Sequence, residues 1–537
     1  MSRGSILRTD WLLLTCVCGF LFFYGLANFG LMGADEPRYA QVAREMLARH
    51  DWITPTLGGG AWLEKPALYY WQAMLAYKIF GVSDWAARLP SGVDATLLVG
   101  FVYFFLRRFR PGAELDGAVM TASAAGVIGF ARAASMDMPL ATAFSIGMMA
   151  WYAWHESQNK SFLAAFYVFI GLGMLAKGPV APFLAALIIA AFTIAKGDWR
   201  LIIRTLWVPG ILLFCAVSLP WYVAVQLKNP QFFHEFFLQH NLARFGTNLY
   251  HHKEPFWYYL PVTVMGLLPW TVFVLAALVE IAGAWWRERR AMLESKDAFN
   301  VFLILWLIVP VVFFSISQSK LPGYIVPALP AGSLLLAEYV RRHSAEGERP
   351  GFAVLVLHAI VAASVLVPAL MIQHLLQQHR MPWNRGTEIS LIIAVVLAIA
   401  IVLSLRSRIG LGGLRFVTLV PVVLSVAMVL RLGASSLDDM LSARPLANAL
   451  ASVEGKRLPI AVFQVRRELE YGLVFYRDQM VSRYELGQIP AQEHFVVAPA
   501  GSQTAVAAEV SGRRVTYIGS FAPQNLEYYW VAAGERR

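Results

Sequence analysis

The chain has 537 residues, of which 58% are hydrophobic and only 15% are charged. Soluble globular proteins have about 25% charged residues, so this composition excludes an ordinary soluble enzyme and indicates an integral membrane protein. The formal net charge of +11 does not come with a basic stripe interleaved with aromatic residues, so no nucleic-acid partner is expected. An excess of Lys and Arg is instead typical of the cytoplasmic loops of membrane proteins.

Long apolar segments recur along the chain. A hydrocarbon core of about 30 Å requires about 20 apolar residues per helix. The first segment is too long for the apolar part of a signal peptide and lacks a small-residue cleavage site, so we expect it to remain as a helix. No disulfide or metal-binding pattern is predicted, because the three cysteines (Cys16, Cys18 and Cys215) lie inside apolar segments. Thirteen spans are predicted, at residues 11–32, 86–106, 116–131, 137–155, 161–176, 179–195, 205–225, 256–285, 299–317, 322–340, 352–372, 388–405 and 415–432.

The basic residues support an orientation for these spans. If the N-terminus is cytoplasmic, nearly all the dense basic clusters lie in cytoplasmic loops, as the orientation rule for membrane proteins requires. These loops include residues 107–110, 196–204, 287–296, 341–349 and 406–415. The segments on the outer side are then 33–85, 132–136, 177–179, 226–255, 317–324, 373–387 and the chain after residue 433.

The first outer loop is predicted to be ordered. The stretch "EPRYAQVAREMLARH" has apolar residues at helical spacing. The stretch "ALYYWQAMLAYKIFG" has the same character, with aromatic residues suited to a membrane interface. Both are predicted to form amphipathic helices on the membrane surface.

The chain changes character after residue 433. Four stretches are typical of short buried strands, at 458–465, 493–500, 513–521 and 526–533, and residues 466–478 are predicted to be helical between the first two. The sequence therefore predicts a polytopic α-helical membrane domain at 1–433 and a small α/β domain at 434–537 outside the membrane.

The outer side carries many ionisable residues, drawn from six segments. Such groups are costly at a membrane boundary unless they are paired or functional. Asp35 and Arg38 could simply pair on one helix, Glu36 could begin that helix, and Asp137 could cap another. Together, however, several cations beside two aspartates favour an anionic ligand. The polar residues on this side are Asp35, Glu36, Glu64, Lys65, Asp137, Lys177, His240, Arg244, His251, His252, Lys320 and Tyr324.

A lipid-linked phosphate is the anion that best fits a membrane boundary. Cations would bind the phosphate and stabilise it as it leaves, and a carboxylate could orient or deprotonate an incoming nucleophile. The sequence has no P-loop, GxSxG, HExxH or CxxC motif, so nucleotide hydrolysis, serine hydrolysis and zinc proteolysis have no support.

Eight ordered stretches carry a family resemblance. They are "ADEPRYAQVAREML", "DWITPTLGGGAWLEKPALYYW", "ARLPS", "ASMDMPLA", "LAKGPVAP", "QHNLARF", "EPFWYYLP" and "SKLPGYIVPALP". They resemble the lipid-carrier-dependent GT-C glycosyltransferases, nearest to the bacterial aminoarabinose transferases that modify lipid A, which are relatives of the protein O-mannosyltransferases. The resemblance covers about residues 10–340, and "LEYGLVFYRD" in the tail resembles the family more weakly.

The resemblance implies a reaction and a location. The expected enzyme moves a sugar, with 4-amino-4-deoxy-L-arabinose as the best candidate, from undecaprenyl phosphate to a phosphate of lipid A, with inversion. It would work at the periplasmic face of the bacterial inner membrane, surrounded by membrane lipids.

The resemblance also implies roles for individual residues. The implied catalytic residues are Asp35, Arg38, Lys65 and Asp137. The implied ligands of the donor phosphate are Lys65, Arg244 and Tyr324, and the implied acceptor-binding residues are Lys177 and Lys320. No cofactor is expected to be required, but family members can hold a metal near the Glu of Glu-Lys-Pro, which implies a zinc ion at Glu64 and His240. An ordinary hydrogen bond between these two side chains is the alternative.

Two other functions remain open at this point. A related enzyme could add a sugar to another glycan or to a protein hydroxyl, and Asp35 would then be needed as a general base, whereas a lipid A phosphate is already ionised near neutral pH. A transporter of lipid-linked sugar would spread polar residues through both leaflets rather than on one face.

Overall fold

The structure is a computed structural model that describes residues 3–243, 254–294, 298–347, 349–378, 380–381 and 383–534. Helices make up most of it. The α-helices up to residue 230 are Arg3–Cys18, Asp35–Ala48, Leu68–Phe80, Asp84–Phe109, Glu114–Ser123, Ala125–Ala131, Asp137–Ser157, Lys160–Lys177, Val180–Lys196, Arg200–Thr205 and Val208–Lys228. The later α-helices are Tyr259–Gly266, Thr271–Glu294, Ala298–Ile316, Leu329–Glu346, Phe352–Ser364, Leu366–Leu370, Ile372–Gln378, Arg385–Arg406, Leu414–Met428, Ala434–Leu441, Arg444–Val453, Arg467–Arg477 and Gln503–Glu509.

Shorter helical segments of other types connect or extend these helices. Three are π-helical: Gly19–Phe23, Phe233–Ala243 and Val429–Gly433. The 3-10 segments are Phe256–Tyr258, Pro322–Ala328, Gly410–Gly413, Tyr484–Leu486 and Ala522–Gln524.

The helices are those of a polytopic membrane protein. Within the described part of the chain, eight helices are long and apolar enough to cross a membrane, or nine if the bent pair Phe256–Gly266 and Thr271–Arg287 counts as one span. The other four predicted spans (11–32, 116–131, 137–155 and 179–195) coincide wholly or partly with helices, but these helices are shorter or less apolar. The count of thirteen therefore stays a prediction.

The first predicted span ends earlier than expected. Its α-helix continues as a π-helical turn only to Phe23, and the predicted helix at 24–32 is wrong because Tyr24 is extended and Gly25 has a φ of +69°. Helical hydrogen bonds are replaced there by the buried guanidinium of Arg88. It donates to the backbone oxygens of Leu26 at 3.0 Å and Phe29 at 2.8 Å, and also to that of Gly30.

Two predicted spans are broken, at adjacent places. The span at 116–131 is interrupted at Ala124, which is extended, and the span at 256–285 bends by 114° between its two helices. Backbone groups freed within a membrane must find partners. One hydrogen bond connects the two breaks and satisfies a backbone group of each: the Ala125 amide donates to the Leu268 oxygen at 2.8 Å.

The tail forms a five-stranded mixed sheet. The strand Ile460–Val462 pairs in parallel with the edge strand Val481–Arg483 and with the central strand His494–Pro499. The sheet continues antiparallel through Leu526–Val531 to Val515–Phe521. All four predicted strands and the helix predicted between the first two are present. The edge strand Val481–Arg483 was not predicted, because three residues are too short for a periodic pattern.

The tail packs against the first loop of the chain. Both predicted loop helices are present, as Asp35–Ala48 and Leu68–Phe80. The guanidinium of Arg44 donates to the Phe475 oxygen at 2.7 Å, and the Leu31 amide donates to the Tyr476 hydroxyl at 2.6 Å. A short antiparallel ribbon, Thr56–Leu57 with Gly60–Ala61, lies between the loop helices. The first loop and the tail are therefore on the same side of the helical bundle.

Candidate active site

The first loop places four charged side chains together. Asp35 begins the helix Asp35–Ala48, and Arg38 lies one turn later on the same face. Glu64 and Lys65 follow the short ribbon, and Pro66 disfavours a helical conformation at Lys65. We call Asp35, Arg38, Glu64 and Lys65 the Arg38 cluster.

Ion pairs link all members of the Arg38 cluster. Arg38 Nη2 donates to Asp35 Oδ1 at 2.5 Å, and Arg38 Nη1 is 3.4 Å from Glu64 Oε2. Lys65 Nζ donates to Glu64 Oε1 at 2.8 Å. Glu64 and Lys65 are buried, whereas the Asp35 side chain is 53% exposed. Asp35 is therefore the member of the cluster most accessible to a substrate.

The electrostatics keep Glu64 ionised. Burial alone would raise its pKa, but the charges of Lys65, Arg38 and His240 outweigh burial and hold the pKa of this carboxyl well below its usual range. A permanently ionised Glu64 is not a proton donor near neutral pH. It balances the charge of the cations instead.

Aromatic rings surround the Arg38 guanidinium. Its central carbon lies 5.0 Å from the ring centre of Tyr39, 5.3 Å from that of Trp62 and 5.7 Å from that of Tyr471. Such contacts fix the plane of a guanidinium and leave its edge for ligands. Tyr471 belongs to the tail helix Arg467–Arg477, so the tail contributes directly to the Arg38 cluster.

Polar atoms near Arg38 are left without partners. Arg38 Nε, Trp62 Nε1 and the Tyr70 hydroxyl are buried and have no hydrogen-bond partner among the described residues. Buried polar atoms are normally paired, so exceptions grouped in one place indicate a site that binds water or a ligand.

A second group forms around Asp137. Its carboxylate accepts a hydrogen bond from Lys177 Nζ, and Lys177 Nζ lies 4.8 Å from the ring centre of Tyr324. The carboxylate also packs on Gly323, where an added Cβ would be 2.5 Å from Asp137 Oδ1. We call Asp137, Lys177, Gly323 and Tyr324 the Asp137 cluster.

Glu36, which follows Asp35, ties the start of its helix to the segment that precedes Asp137. Its carboxylate accepts from the Ala134 amide at 2.7 Å and from the Met32 amide at 2.7 Å, and Arg88 donates to it twice, at 3.0 and 2.6 Å. Met136, next to Asp137, packs in one apolar cluster with Tyr39, next to Arg38. The structure thus brings Asp35, Arg38, Glu64, Lys65, Asp137, Lys177 and Tyr324 to one end of the helical bundle.

Other predicted site residues lie differently. Lys320 is buried and donates to the Ser317 oxygen at 2.5 Å, which closes its own loop. Burial lowers the pKa of Lys320, and Glu254 acts in the opposite direction. Arg244, with His251 and His252, lies outside the described residues.

The predicted zinc ion is not supported. Glu64 is already paired with Lys65 and Arg38, and these cations would oppose a divalent ion. Over the described ranges, no group of three or more His, Cys, Asp or Glu side chains could hold a metal. Structural and catalytic zinc sites use at least three protein ligands, so the donor set at Glu64 and His240 does not fit.

Two residues that position the site were not predicted from the sequence. Arg88 lies in the quoted motif "ARLPS", and a fully buried arginine in an apolar span is itself a signal that a carboxylate partner exists. Tyr471 lies in the tail motif, but nothing local to it indicates the contact with Arg38.

The sequence comparisons agree with the motifs. Residues 12–236 match the family described as dolichyl-phosphate-mannose-protein mannosyltransferase. The undecaprenyl phosphate-alpha-4-amino-4-deoxy-L-arabinose arabinosyl transferase of Pseudomonas aeruginosa (strain UCBPP-PA14) is 33% identical over 344 residues, which are 63% of this chain and 60% of that protein. The protein of the same name from Yersinia enterocolitica is 34% identical over 313 residues, 57% of this chain and 54% of that protein. The aligned region thus spans less than two thirds of these relatives.

Solved structures extend the similarity to the whole fold. ArnT from Cupriavidus metallidurans, crystallised with undecaprenyl phosphate, superimposes with a TM-score of 0.80 at 24% identity, covering 100% of both chains. Its apo structure gives a TM-score of 0.75 at 23% identity, covering 98% of this chain and 100% of that one. The chain therefore has the polytopic membrane fold of ArnT, and the resemblance predicted from its motifs is confirmed.

Proposed function

We propose that the chain is an inverting glycosyltransferase that moves 4-amino-4-deoxy-L-arabinose from undecaprenyl phosphate to a phosphate of lipid A. The observation that carries the proposal is that the Arg38 and Asp137 clusters lie at the same end of the bundle. The two clusters contain three cations, Arg38, Lys65 and Lys177. They also contain three carboxylates, Asp35, Glu64 and Asp137. Cationic side chains at a membrane boundary suit a lipid-linked phosphate. The curated relatives named above supply the choice of sugar and lipid carrier.

The donor phosphate is proposed to bind at Lys65, Arg244 and Tyr324. In the reaction an oxygen of the acceptor forms a bond to the anomeric carbon of the sugar, and the bond from that carbon to the phosphate of the lipid carrier breaks. The phosphate leaves with the bonding electrons, so its negative charge grows in the transition state. A fixed Lys65 ammonium, held at 2.8 Å from Glu64, would stabilise that charge without reorganisation.

The acceptor is proposed to approach from the side of Asp35 and Asp137. A phosphate monoester has a second pKa of about 6, so a lipid A phosphate is already a nucleophile near pH 7 and needs no general base. Asp35, which is exposed and paired with Arg38, would then orient the sugar or the acceptor. Lys177 and Lys320 are proposed to bind the acceptor phosphate.

The topology is part of the proposal. We place the N-terminus in the cytoplasm, thirteen spans in the bacterial inner membrane, and the clusters and the tail in the periplasm. Residues 1–433 would form the catalytic membrane domain and 434–537 the periplasmic α/β domain. The separation of the dense basic loops from the end of the bundle that holds the clusters supports this orientation.

The proposal can be tested in a bacterium that makes the lipid-linked aminoarabinose but lacks its own transferase. Mass spectrometry of extracted lipid A should show the added sugar when this chain is expressed. Lys65→Gln should abolish the modification at equal protein level in the membrane. Lys78→Gln is the matched control, because Lys78 is exposed near the end of the helix Leu68–Phe80. Unmodified lipid A with the wild-type chain would contradict the proposal.

The family match to protein mannosyltransferases favours one second candidate, transfer to a protein hydroxyl. A hydroxyl nucleophile loses its proton as it attacks, so Asp35 would act as a general base. Asp35→Asn would then be inactive with a peptide acceptor. Transfer to a serine- or threonine-containing peptide, with none to lipid A, would establish this candidate.

A further inference from the structure

A cavity lies at the opposite end of the bundle from the two clusters. The helix Asp137–Ser157 begins at the Asp137 cluster, and its last residues line this cavity. At 1.5 Å per residue, its 21 residues separate the two sites by about 30 Å, the thickness of the hydrocarbon core. The helix Val180–Lys196 makes the same crossing and ends at the cavity with Lys196.

The cavity is large, basic and partly apolar. Its volume is about 1010 Å³, within the size range of sites that bind small molecules and head groups. Five of its lining residues are Lys or Arg and three are Glu. Phe109 and Tyr152 contribute apolar wall.

Most of the acidic lining is already neutralised. Glu156 accepts two hydrogen bonds from Arg110, at 2.5 and 3.1 Å. Glu338 is bound by two arginines, Arg341 at 2.7 and 2.8 Å and Arg342 at 2.9 Å. The third lining carboxylate belongs to Glu346, which is exposed.

Two lining cations remain available. Within the described ranges, no carboxylate lies at salt-bridge distance from Arg108 or Lys196; Lys196 Nζ has His155 Nε2 as a neighbour at 3.4 Å. The other ring nitrogen of His155, Nδ1, is buried without a hydrogen-bond partner among the described residues. Exposed Arg108, half-buried Lys196 and His155 therefore present donors to the cavity. The Asp198 carboxylate acts on Lys196 and His155 through its charge.

From this arrangement we propose that the cavity binds the phosphate head group of an anionic phospholipid from the leaflet on that side. Basic pockets between membrane helices recognise such head groups, and guanidinium groups match phosphate oxygens in pairs. A ligand phosphate would supply the acceptors that Arg108 and Lys196 lack. The apolar wall at Phe109 and Tyr152 suits the glycerol and upper acyl carbons of the lipid.

The test uses the purified full-length protein in detergent. Phosphatidylglycerol, phosphatidylcholine and inorganic phosphate are added separately, and binding is followed by native mass spectrometry and by the rise in thermal stability. Wild type and the control Arg204→Gln, an exposed residue on the neighbouring helix Arg200–Thr205, should bind phosphatidylglycerol in preference to phosphatidylcholine. The double variant Arg108→Gln/Lys196→Gln should bind phosphatidylglycerol at least about tenfold more weakly. It should keep wild-type transfer activity, since both residues are far from the clusters.

Three results would overturn the proposal. One is unchanged phosphatidylglycerol affinity in the double variant. Another is stabilisation by inorganic phosphate equal to that by phosphatidylglycerol, which would indicate a soluble anion instead. The third comes from a photoactivatable phosphatidylglycerol on the wild-type protein, which needs no folded variant. Its crosslinks should fall on peptides containing residues 108–110 or 341–346, and crosslinks confined to the opposite end of the bundle would refute the site.

Discussion

Neutralising two adjacent carboxylates is predicted to have different effects. Loss of the Glu36 charge should destabilise the protein, whereas loss of the Asp35 charge should abolish sugar transfer. Asp35→Asn and Glu36→Gln each remove one negative charge from the first turn of one helix. Glu36 is buried and accepts four hydrogen bonds, two of them from Arg88, whose side chain is 0% exposed. Asp35 is 53% exposed and pairs only with Arg38 among the described residues.

The magnitudes follow from burial. Removing one partner of a buried ion pair leaves an uncompensated charge and costs about 3–5 kcal/mol, so Glu36→Gln should destabilise the protein by that amount. Exposed pairs are worth about 1 kcal/mol or less, so Asp35→Asn should leave stability within that limit. Asp35→Asn should nevertheless abolish sugar transfer, because Asp35 is proposed to orient the reacting groups.

The assay is unfolding of the purified variants in mixed micelles, read by tryptophan fluorescence, with transfer measured on the same samples. Glu36→Gln should unfold at clearly lower denaturant, and Asp35→Asn should superimpose on wild type. A stable but inactive Glu36→Gln would show that Glu36 takes part in the chemistry. Equal destabilisation by both substitutions would refute the conclusion that Glu36, and not Asp35, is the buried carboxylate that stabilises the fold.

Further predictions concern the second cluster, the tail and pH. Gly323→Ala should lower kcat at least about tenfold, because its Cβ would be 2.5 Å from the Asp137 carboxylate and must displace it; unchanged steady-state kinetics would contradict this. Tyr471→Ala should lower kcat by about fivefold through the lost contact with Arg38, whereas Tyr471→Phe, which keeps the ring, should match wild type. Burial lowers the pKa of His494, so the stability linked to its neutral form is present above its unfolded pKa of about 6.5 and is lost as pH falls below that value. Hydrogen exchange at strand His494–Pro499, corrected for the intrinsic rate, should therefore be faster at pH 5.5 than at pH 7.5, and equal protection would contradict it.

Local patterns were enough to predict much of the fold. Apolar length identified the helices, and short stretches typical of buried strands identified four of the five strands of the tail. The sorting of polar residues by side predicted that Asp35, Lys65, Asp137 and Lys177 would lie at the same end of the bundle. These features depend on properties of short stretches, which a sequence displays directly.

Contacts across long separations were not predictable in the same way. Glu36 meets Arg88 52 residues later, and Tyr471 reaches Arg38 from the opposite end of the chain. The 114° bend after Gly266 is stabilised by a hydrogen bond to the break at Ala124–Ala125. Such features depend on which elements pack together, and helical periodicity carries no information on that choice. Both neighbouring acids open one helix, so only the contacts with Arg88 and with the Met32 and Ala134 amides distinguish the buried Glu36 from the exposed Asp35.

Transfer by the purified protein is the most direct test of the proposed reaction, in which the sugar moves to a phosphate of lipid A. Lipid-linked 4-amino-4-deoxy-L-arabinose is supplied with either lipid A or dephosphorylated lipid A, and the products are identified by mass spectrometry. If the acceptor is a lipid A phosphate, lipid A should gain the sugar and dephosphorylated lipid A should not. Asp35→Asn should give no product with either acceptor. Equal modification of both acceptors would contradict transfer to phosphate, and a fully active Asp35→Asn would contradict the proposed site.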